Sequence, residues 1–317
     1  MIKESSTIQV EGKTITVPSY CIHGQKVITI GEFVKIASII DEEFLEGELV
    51  QDPEAFVTQL KTTGVAADIF TFSQKLPNVV PKHTYHVEWD NFATIPITTY
   101  LDWLENRVER DVRKAVNRAK KLGVVVRVAE FDDAFVEGIR RIYNETPVRQ
   151  GKPFWHYQKD FETIKRQNSI HLDRSICLGA YYNDELIGFI RMLRVGTVAM
   201  TQQVISMMQH SDKKPTNALI AKAVEVCELN KLSHLVYSRF IYNNVYSSLT
   251  EFKRRNGFEQ VLVPKYYIPL TKKGSVALKV GLHLPVANWL PAPVFVRLKQ
   301  IRSWWNSGKI KISRESL

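Results

Sequence analysis

The chain has 317 residues, of which 44% are hydrophobic and 24% are charged, a composition typical of a folded globular protein rather than of a disordered or fibrous one. This length exceeds that of a usual domain, so we expect two lobes or one large domain with an appendage. No apolar run approaches the roughly 20 residues of a membrane-spanning helix, and the polar first residues predict no secretory signal, so we expect a cytoplasmic location. The net charge of +10 favours an anionic partner.

Cysteine and histidine spacing predicts no metal site. The cysteines Cys21, Cys177 and Cys227 lie far apart, and no pair has a spacing that suits zinc or a redox motif. His83 and His86 are the closest approach to a metal pair, but no third ligand follows nearby in the sequence.

The first lobe, residues 1–97, reads as a small mixed α/β unit. Two short alternating segments, 7–10 and 14–17, predict a β-hairpin. Apolar residues recur at helical spacing over 33–40, and again over 56–65 after the start signal Asp52-Pro53, so two helices are predicted. A buried strand follows at 66–72.

A strong helical pattern covers residues 99–123, with Thr98 or Thr99 as the N-cap and Gly123 as the end. Its basic residues lie on another face than its apolar ones, and the stretch 107–127 has eight basic residues against Glu109 and Asp111. A solvated face is the simpler interpretation, and contact with an anionic partner is the alternative.

The remaining pattern alternates strands and helices. A strand is predicted at 124–128, a helix at 132–144, a hairpin at 177–193 around the turn Asn183-Asp184, and a strand at 198–208. The later elements are a helix at 218–232, a strand at 234–240, a helix at 247–254, and strands at 259–263 and 266–270.

This order, with Gly257-Phe258-Glu259 directly after the last helix, resembles the GNAT superfamily of N-acyltransferases over residues 123–270. A chain that leaves a helix and enters a strand at once needs a left-handed residue, which Gly257 supplies. The hairpin unit Leu186-Ile187-Gly188 is similar to the family's as well. One departure is Lys253, which stands where the family usually has a tyrosine, four residues before the glycine.

A second resemblance points to the FemAB-like transferases, which join two GNAT-like lobes. It rests on the segment 110–115 (Arg-Asp-Val-Arg-Lys-Ala), followed by Lys-Lys-Leu-Gly-Val at 120–124. The fold class implied is α/β (α+β), with a GNAT-like, mostly antiparallel central sheet flanked by helices and a shortened N-terminal GNAT-like lobe. The domains expected are 1–97, a GNAT-type domain at 98–272, and a basic and aromatic appendage at 273–317.

The resemblance implies a coenzyme A thioester as donor, with its pyrophosphate at backbone N–H groups where a strand runs into a helix. Thr216 or Asn217 is expected to cap the helix at Ala218, although the family's loop glycines are missing here. The donor-binding residues implied are Val204, Ile205, Ser206, Lys213, Lys214, Pro215, Thr216, Asn217, Ala218 and Asn244.

GNAT chemistry needs a positioned amine, a base and oxyanion donors. Glu145 is the candidate base, with a solvated glutamate at a helix end as the alternative, and Tyr246 is preferred over Tyr242 as the acid for the leaving thiolate. The candidate acceptor-binding residues are Arg149, Gln150, Gln202, Gln203 and Tyr242.

The function expected is an N-acyltransferase that moves an acyl group from acyl-CoA, or from an acidic acyl-carrier protein, to an amine of a sugar or cell-envelope polysaccharide precursor. Two alternatives stay open. One is an aminoacyl-tRNA-dependent Fem-type transferase, the only case in which nucleic acid is expected as a partner, and the other is a non-catalytic basic nucleic-acid-binding or regulatory module. The C-terminal tail, with Trp304 and Trp305, is a candidate peripheral contact with the inner membrane face.

Overall fold

The structure, a computed structural model, describes residues 4–10, 13–242 and 244–284. Most of the predicted appendage, including its tryptophans, lies outside the described residues. The strands are, in chain order, β1 (Glu4–Val10), β2 (Lys13–Ile22), β3 (Gln25–Ile30), β4 (Ile36–Ile39), β5 (Ile69–Ser73), β6 (His86–Pro96), β7 (Val125–Ala129), β8 (Val148–Arg149), β9 (Lys152–Pro153), β10 (Ser175–Tyr182), β11 (Glu185–Val195), β12 (Val198–Ser206), β13 (His234–Arg239) and β14 (Glu259–Pro269). The helices are α1 (Pro53–Thr62), α2 (Tyr100–Asp102), α3 (Arg110–Lys121), α4 (Asp133–Asn144), α5 (Phe161–Asn168), α6 (Pro215–Leu229), α7 (Ser248–Arg255) and α8 (Lys272–Lys279).

One twelve-stranded sheet runs through the molecule in the order β1-β2-β3-β4-β5-β14-β6-β13-β12-β11-β10-β7. Neighbouring strands are antiparallel except for β4 with β5 and β12 with β13. Each half of the sheet therefore contains one parallel pair, and the two halves have the same order from the outside inwards. The predicted fold class, a mostly antiparallel sheet with flanking helices, is confirmed.

The two halves exchange strands at the centre. The last strand, β14, pairs with β5 on one side and with β6 on the other, whereas β6, which the sequence assigns to the first lobe, pairs with β13. The strands before and after the predicted boundary between residues 97 and 98 belong to one sheet. The domain boundaries stay predictions. Separate buried clusters fill the halves, a large one around α4 and α6 and a smaller one around α1.

The predicted helix over 33–40 is wrong, because part of this segment forms strand β4. Its side chains alternate between buried and half-buried, with Ala37 and Ile39 in the core. The backbone pairs with β3 on one side and β5 on the other. Over a segment as short as four residues, the same apolar residues fit either a helix or an alternating strand. Pairing with the two neighbouring strands selects the strand.

The predicted helix over 99–123 is interrupted. Thr99 caps the start, since its hydroxyl accepts from Asp102 N at 3.0 Å, and a π-helical turn, Trp103–Arg107, follows α2. Val108 is then extended before α3 begins. The indole Nε1 of buried Trp103 donates to the carbonyl of Asn256 at 3.0 Å, so a contact 153 residues away fixes the break.

The second half otherwise follows the predicted order closely. The turn of the β10–β11 hairpin has positive φ at Asn183 and Asp184, as a type I′ turn requires. Gly257 has φ +80 and leads from α7 into β14, while Phe258 is buried. The two strands predicted near 259–270 are the single strand β14, because it is paired along both edges.

Candidate functional site

Strands β12 and β13 separate at the centre of the second half. They pair in parallel only over Val198–Met200 and His234–Val236, and beyond this point β12 continues to Ser206 with β11 as its partner. A bulge adds Gln202 to β12 opposite β11. The result is a V-shaped opening between two strands, with unpaired backbone groups along both edges.

The predicted acceptor-binding glutamines stand on the β12 side of this opening. Gln203 Oε1 accepts a hydrogen bond from the Tyr143 hydroxyl at 3.0 Å. Gln202 Oε1 is buried and has no hydrogen-bond partner among the described residues. Of the two side-chain oxygens, only that of Gln202 lacks a donor among the described residues.

The predicted donor loop leads from β12 into α6 through a 3-10 turn at Ser211–Lys213. The expectation that Thr216 or Asn217 caps the helix at Ala218 is wrong, because α6 begins earlier, at Pro215, after Lys214 in the left-handed conformation. The side chains are instead bonded laterally: the hydroxyls of Ser206 and Thr216 lie 2.6 Å apart, and Asn217 Nδ2 donates to Asn256 Oδ1 at 3.0 Å.

Proline at the first position of α6 removes one of the backbone donors that a helix start offers to an anion. The N–H of Ala218 makes the first bond of the helix, to the carbonyl of Lys214 at 3.3 Å. Only the N–H groups of Thr216 and Asn217 remain for an anion. The Lys213 ammonium lies over the Tyr182 ring, 4.8 Å from its centre, at one side of this loop.

Helix α3 adds a basic surface beside the donor loop. It packs against α6 and touches the 3-10 turn that precedes it. Four of its exposed basic side chains make no ion pair with any residue that the structure describes: Arg110, Arg118, Lys120 and Lys121. Their charge is not neutralised locally, unlike that of Arg254 and Arg255 on α7, which bind Glu109 at 2.5 and 2.7 Å.

Glu145, the base predicted from the sequence, forms part of a clamp at the end of α4. Its carboxylate accepts from the backbone N–H groups of Met208 and Gln209, both at 2.8 Å, and from the Arg149 guanidinium at 3.0 Å. Arg149 also donates to the carbonyls of Ser206 and Ile142, and burial lowers its pKa. This clamp holds the donor loop, and the roles of Glu145 as base and Arg149 as acceptor ligand stay predictions.

The other predicted residues lie towards the surface. Gln150 is exposed, at the tip of the β8–β9 hairpin. The Tyr246 hydroxyl donates to Glu251 at 2.6 Å, a bond that raises the pKa of this exposed tyrosine. Tyr242 donates to Ser238 at 2.9 Å, and Asn244 is exposed with φ +54. Partly buried Val204 and Ile205 pack on the core of the second half.

Lys253 occupies the position where the resemblance predicts a tyrosine. Its side chain is 0% exposed, and its ammonium donates to the carbonyl of Arg239 at 2.5 Å. The same nitrogen lies 4.8 Å from the ring centre of Tyr237 and 4.9 Å from that of Tyr242. Burial without a carboxylate partner lowers the pKa of Lys253 to about 8.

Arg239 also lines a cavity of about 560 Å³. The central strands form its floor, and the segments around residues 41–48 and 73–82 form its walls. The guanidinium of Arg239, whose carbonyl holds Lys253, pairs with Asp90 in this cavity at 2.8 Å. Charged residues of both signs line it, among them Glu42, Glu43, Lys75, Asp90, Arg239 and Lys265.

Burial tunes several of the charged groups around the cavity. It raises the pKa of Glu42, whose carboxylate accepts from Ser73 N at 2.9 Å, and it lowers the pKa of Lys75, which donates to the carbonyls of Glu42 and Leu45. Partial loss of solvent around its carboxylate, and the neighbouring carboxylates of Asp90 and Asp41, raise the pKa of Glu43 as well, although the residue is exposed overall. Glu43 lines the cavity and makes no hydrogen bond or ion pair with any described residue.

Sequence reasoning missed this cavity, and it recorded Lys253 only as a departure from a pattern. The cavity's charged residues come from segments up to about 220 residues apart, so no local spacing identifies them. For Lys253 the signal was its position four residues before Gly257, where the resemblance predicts a tyrosine.

No protein-family model and no curated protein matches the sequence. Solved structures are similar to the chain over most of its length. FemX has a TM-score of 0.56 at 11% identity, over 88% of this chain and 90% of that one. The C-terminal domain of a putative lysylphosphatidylglycerol synthetase from Agrobacterium fabrum has 0.54 at 10% identity, over 88% and 86%. L-PGS from Bacillus licheniformis has 0.54 at 12% identity, over 84% and 88%.

The chain has the FemAB-like form of the GNAT fold. The paired halves of the sheet, each with its single parallel pair, are the observation that decides this. The resemblance predicted from Gly257-Phe258-Glu259 and from residues 110–124 is thus confirmed as a likeness of fold. No helix among the described residues is long and apolar enough to cross a membrane.

Proposed function

We propose that this protein transfers an aminoacyl or acyl group from an activated ester to an amine or hydroxyl, with aminoacyl-tRNA as the donor that the geometry favours. The observation that carries the proposal is Lys253, a fully buried ammonium beside the V-shaped opening of β12 and β13. A buried ammonium among apolar groups, with few hydrogen-bond partners, lowers the stability of the protein. A role of Lys253 in the reaction is therefore the best explanation of its burial.

The proposed reaction is an aminolysis or alcoholysis of the donor ester. The acceptor's nitrogen or oxygen attacks the ester carbonyl, a tetrahedral oxyanion forms, and the bond to the donor's leaving oxygen then breaks. The Lys253 ammonium, with two N–H groups beyond the one that bonds Arg239, stabilises the oxyanion and protonates the leaving oxygen. Its pKa of about 8 keeps it mainly charged near neutral pH while easing the loss of a proton.

The cavity beside Arg239 is the proposed acceptor site. It adjoins the β13 end at which Lys253 is bound, and it is roomy enough, at about 560 Å³, for part of an envelope precursor or a lipid headgroup. Glu43, with its raised pKa and free carboxylate, is suited to take the proton that the attacking group loses. This assigns to Glu43 the role that the sequence predicted for Glu145.

Two features favour aminoacyl-tRNA over coenzyme A. The start of α6 lacks glycine and has a proline and a Ser206–Thr216 bridge in place of an open pyrophosphate cradle. Helix α3, whose basic residues Arg110, Arg118, Lys120 and Lys121 pair with no acidic residue that the structure describes, contacts the turn before α6 and fits a polyanion larger than a pantetheine diphosphate. The names of the similar structures, FemX and lysylphosphatidylglycerol synthetase, fit an aminoacyl donor and an envelope acceptor.

Acyl-CoA, or an acyl-carrier thioester, is the second candidate donor. The early separation of β12 from β13 supports it, since the resemblance to GNAT proteins places a thioester arm in such an opening. Association of the C-terminal tail with the inner membrane face is part of this proposal for either donor, because envelope acceptors are found there.

Binding of both donors tests the proposal. Filter binding of labelled aminoacyl-tRNA should weaken steeply with salt, whereas acetyl-CoA and longer acyl-CoA should cause no thermal shift. The double variant Arg118→Glu with Lys121→Glu should weaken tRNA binding by about tenfold or more. Lys61→Glu, a single charge reversal of the same kind at an exposed position of α1, is the control and should leave binding unchanged.

Three outcomes decide between the candidates. A thermal shift with acyl-CoA and no tRNA binding would overturn the aminoacyl donor and keep the transferase. Equal weakening of tRNA binding by the α3 variant and by Lys61→Glu would remove α3 from the donor site. If no donor of either class binds, the enzyme proposal fails.

A further inference from the structure

Three side chains from two distant parts of the chain meet near the start of β6. His86 and Glu88 stand on β6, and His283 lies just after α8. Glu88 Oε1 is 3.0 Å from His86 Nε2 and 3.3 Å from His283 Nε2. Among the described residues these form one group of potential ligand atoms, all within 4.8 Å of one another.

Local structure holds these groups in place. His86 and Glu88 are two residues apart on one strand, so their side chains emerge on the same face of the sheet. The His283 side chain is 1% exposed, and its ring packs edge-on against Tyr267 of β14 and against His86, at 4.9 and 5.1 Å between ring centres. His86 and Glu88 keep 40% and 36% of their side chains exposed, which leaves an approach from solvent.

The three groups have few hydrogen-bond partners for their nitrogen atoms. Two imidazoles point their Nε2 atoms at a single carboxylate oxygen, and Nδ1 of the buried His283 has no partner among the described residues. A buried imidazole with this few partners is unfavourable. A ligand at the centre of the three groups would account for the convergence.

The donor set and spacing fit zinc. Two histidines and one carboxylate are a known zinc ligand set, with water in the fourth position. Ligand bonds of about 2.0–2.1 Å in a tetrahedron put neighbouring ligand atoms about 3.3 Å apart, and the distances from Glu88 match this. All the ligand atoms lie within 4.8 Å of one another, so the two imidazole nitrogens have to close by at most about 1.5 Å to reach this separation.

We propose that His86, Glu88 and His283 bind a Zn²⁺ ion. The ion fastens the chain after α8 onto β6, two residues along that strand from Asp90, which lines the cavity. The sequence predicted no metal because His83 and His86 lacked a third ligand nearby, and the fold supplies one 197 residues later. This site is independent of the transferase proposal.

Zinc titration of the tag-free, EDTA-treated full chain tests the site, with a chromophoric chelator as competitor. Wild-type protein should take up stoichiometric Zn²⁺, and Co²⁺ in its place should give the intense visible absorption of a tetrahedral site. His86→Ala and Glu88→Gln should each weaken Zn²⁺ binding by about 100-fold or more, since even changes outside the ligand shell cost about 10- to 100-fold.

His83→Ala is the matched control, because this histidine lies on the same segment but packs on Tyr266 and Phe72 away from the group. It should bind Zn²⁺ as the wild type does. The first two substitutions are at partly exposed positions, so the test does not depend on the buried His283. The proposal is overturned by absent binding in the wild type, by wild-type affinity in both ligand variants, or by an equal loss in His83→Ala.

Discussion

Replacing Lys253 with methionine should abolish transfer. Compared with the wild type, the free energy of unfolding of this variant should be more favourable at neutral pH than at alkaline pH. The pKa of Lys253 falls from 10.5 to about 8 on folding, which corresponds to about 3 kcal/mol of penalty on the charged form in the native state. Below pH 8 the wild type carries this penalty. Methionine fills a similar volume and removes it, but leaves the carbonyl of Arg239 without its donor, a loss of about 1–3 kcal/mol.

The sign of the pH dependence follows from proton binding. Between pH 8 and 10.5 the unfolded chain holds a proton on this lysine that the native protein has lost, so the free energy of unfolding of the wild type rises with pH relative to the variant. The difference between wild type and Lys253→Met should therefore shift by about 3 kcal/mol in favour of the wild type from pH 7 to 10.5. Urea unfolding at pH 7, 8, 9 and 10.5 measures it, with Lys61→Met, on exposed α1, as the control.

A difference between Lys253→Met and the wild type that stays constant over this range would refute the reasoning, since it would mean that Lys253 is not desolvated. Transfer activity is measured in a separate experiment. Transfer by the wild type should decline above about pH 8, as the ammonium loses its proton, and Lys253→Met should lose transfer at every pH. Retained activity in this variant would remove Lys253 from the mechanism.

Three further outcomes are expected. Glu145→Gln should lower the free energy of unfolding by about 1–3 kcal/mol, because it weakens the clamp on the backbone of the donor loop; a large loss of activity at unchanged stability would instead favour its role as base. Glu43→Gln should lower kcat by about 10²-fold or more with little change in stability, and unaltered kcat would contradict its assignment. Gly257→Ala should lower the free energy of unfolding, measured in urea, by about 1–2 kcal/mol, since φ is +80 and the new Cβ would lie 3.1 Å from Trp103 Nε1. Gly64→Ala, with φ +70 and open space around the new Cβ, is the control that measures the backbone cost alone. An equal loss in both variants would show that the contact with Trp103 contributes nothing.

Features that depend on a few neighbouring residues were determined by the sequence itself. The Asn183-Asp184 turn, the Thr99 cap and the helix-to-strand junction at Gly257 all form as predicted. Each depends on backbone conformations and hydrogen bonds within about four positions, so the local residues suffice. Their order along the chain was enough to indicate the fold.

Only the tertiary structure decided which strand pairs with which, and hence what the site contains. The apolar spacing over 33–40 favoured a helix, but pairing with β3 and β5 makes the segment a strand. The hydrogen bonds from the loop's N–H groups to the Glu145 carboxylate were equally invisible in the sequence. Lys253 is desolvated by residues 11 or more positions away, and His283 reaches His86 across the sheet. Burial and charge pairing sum over neighbours in space, which no local sequence window contains.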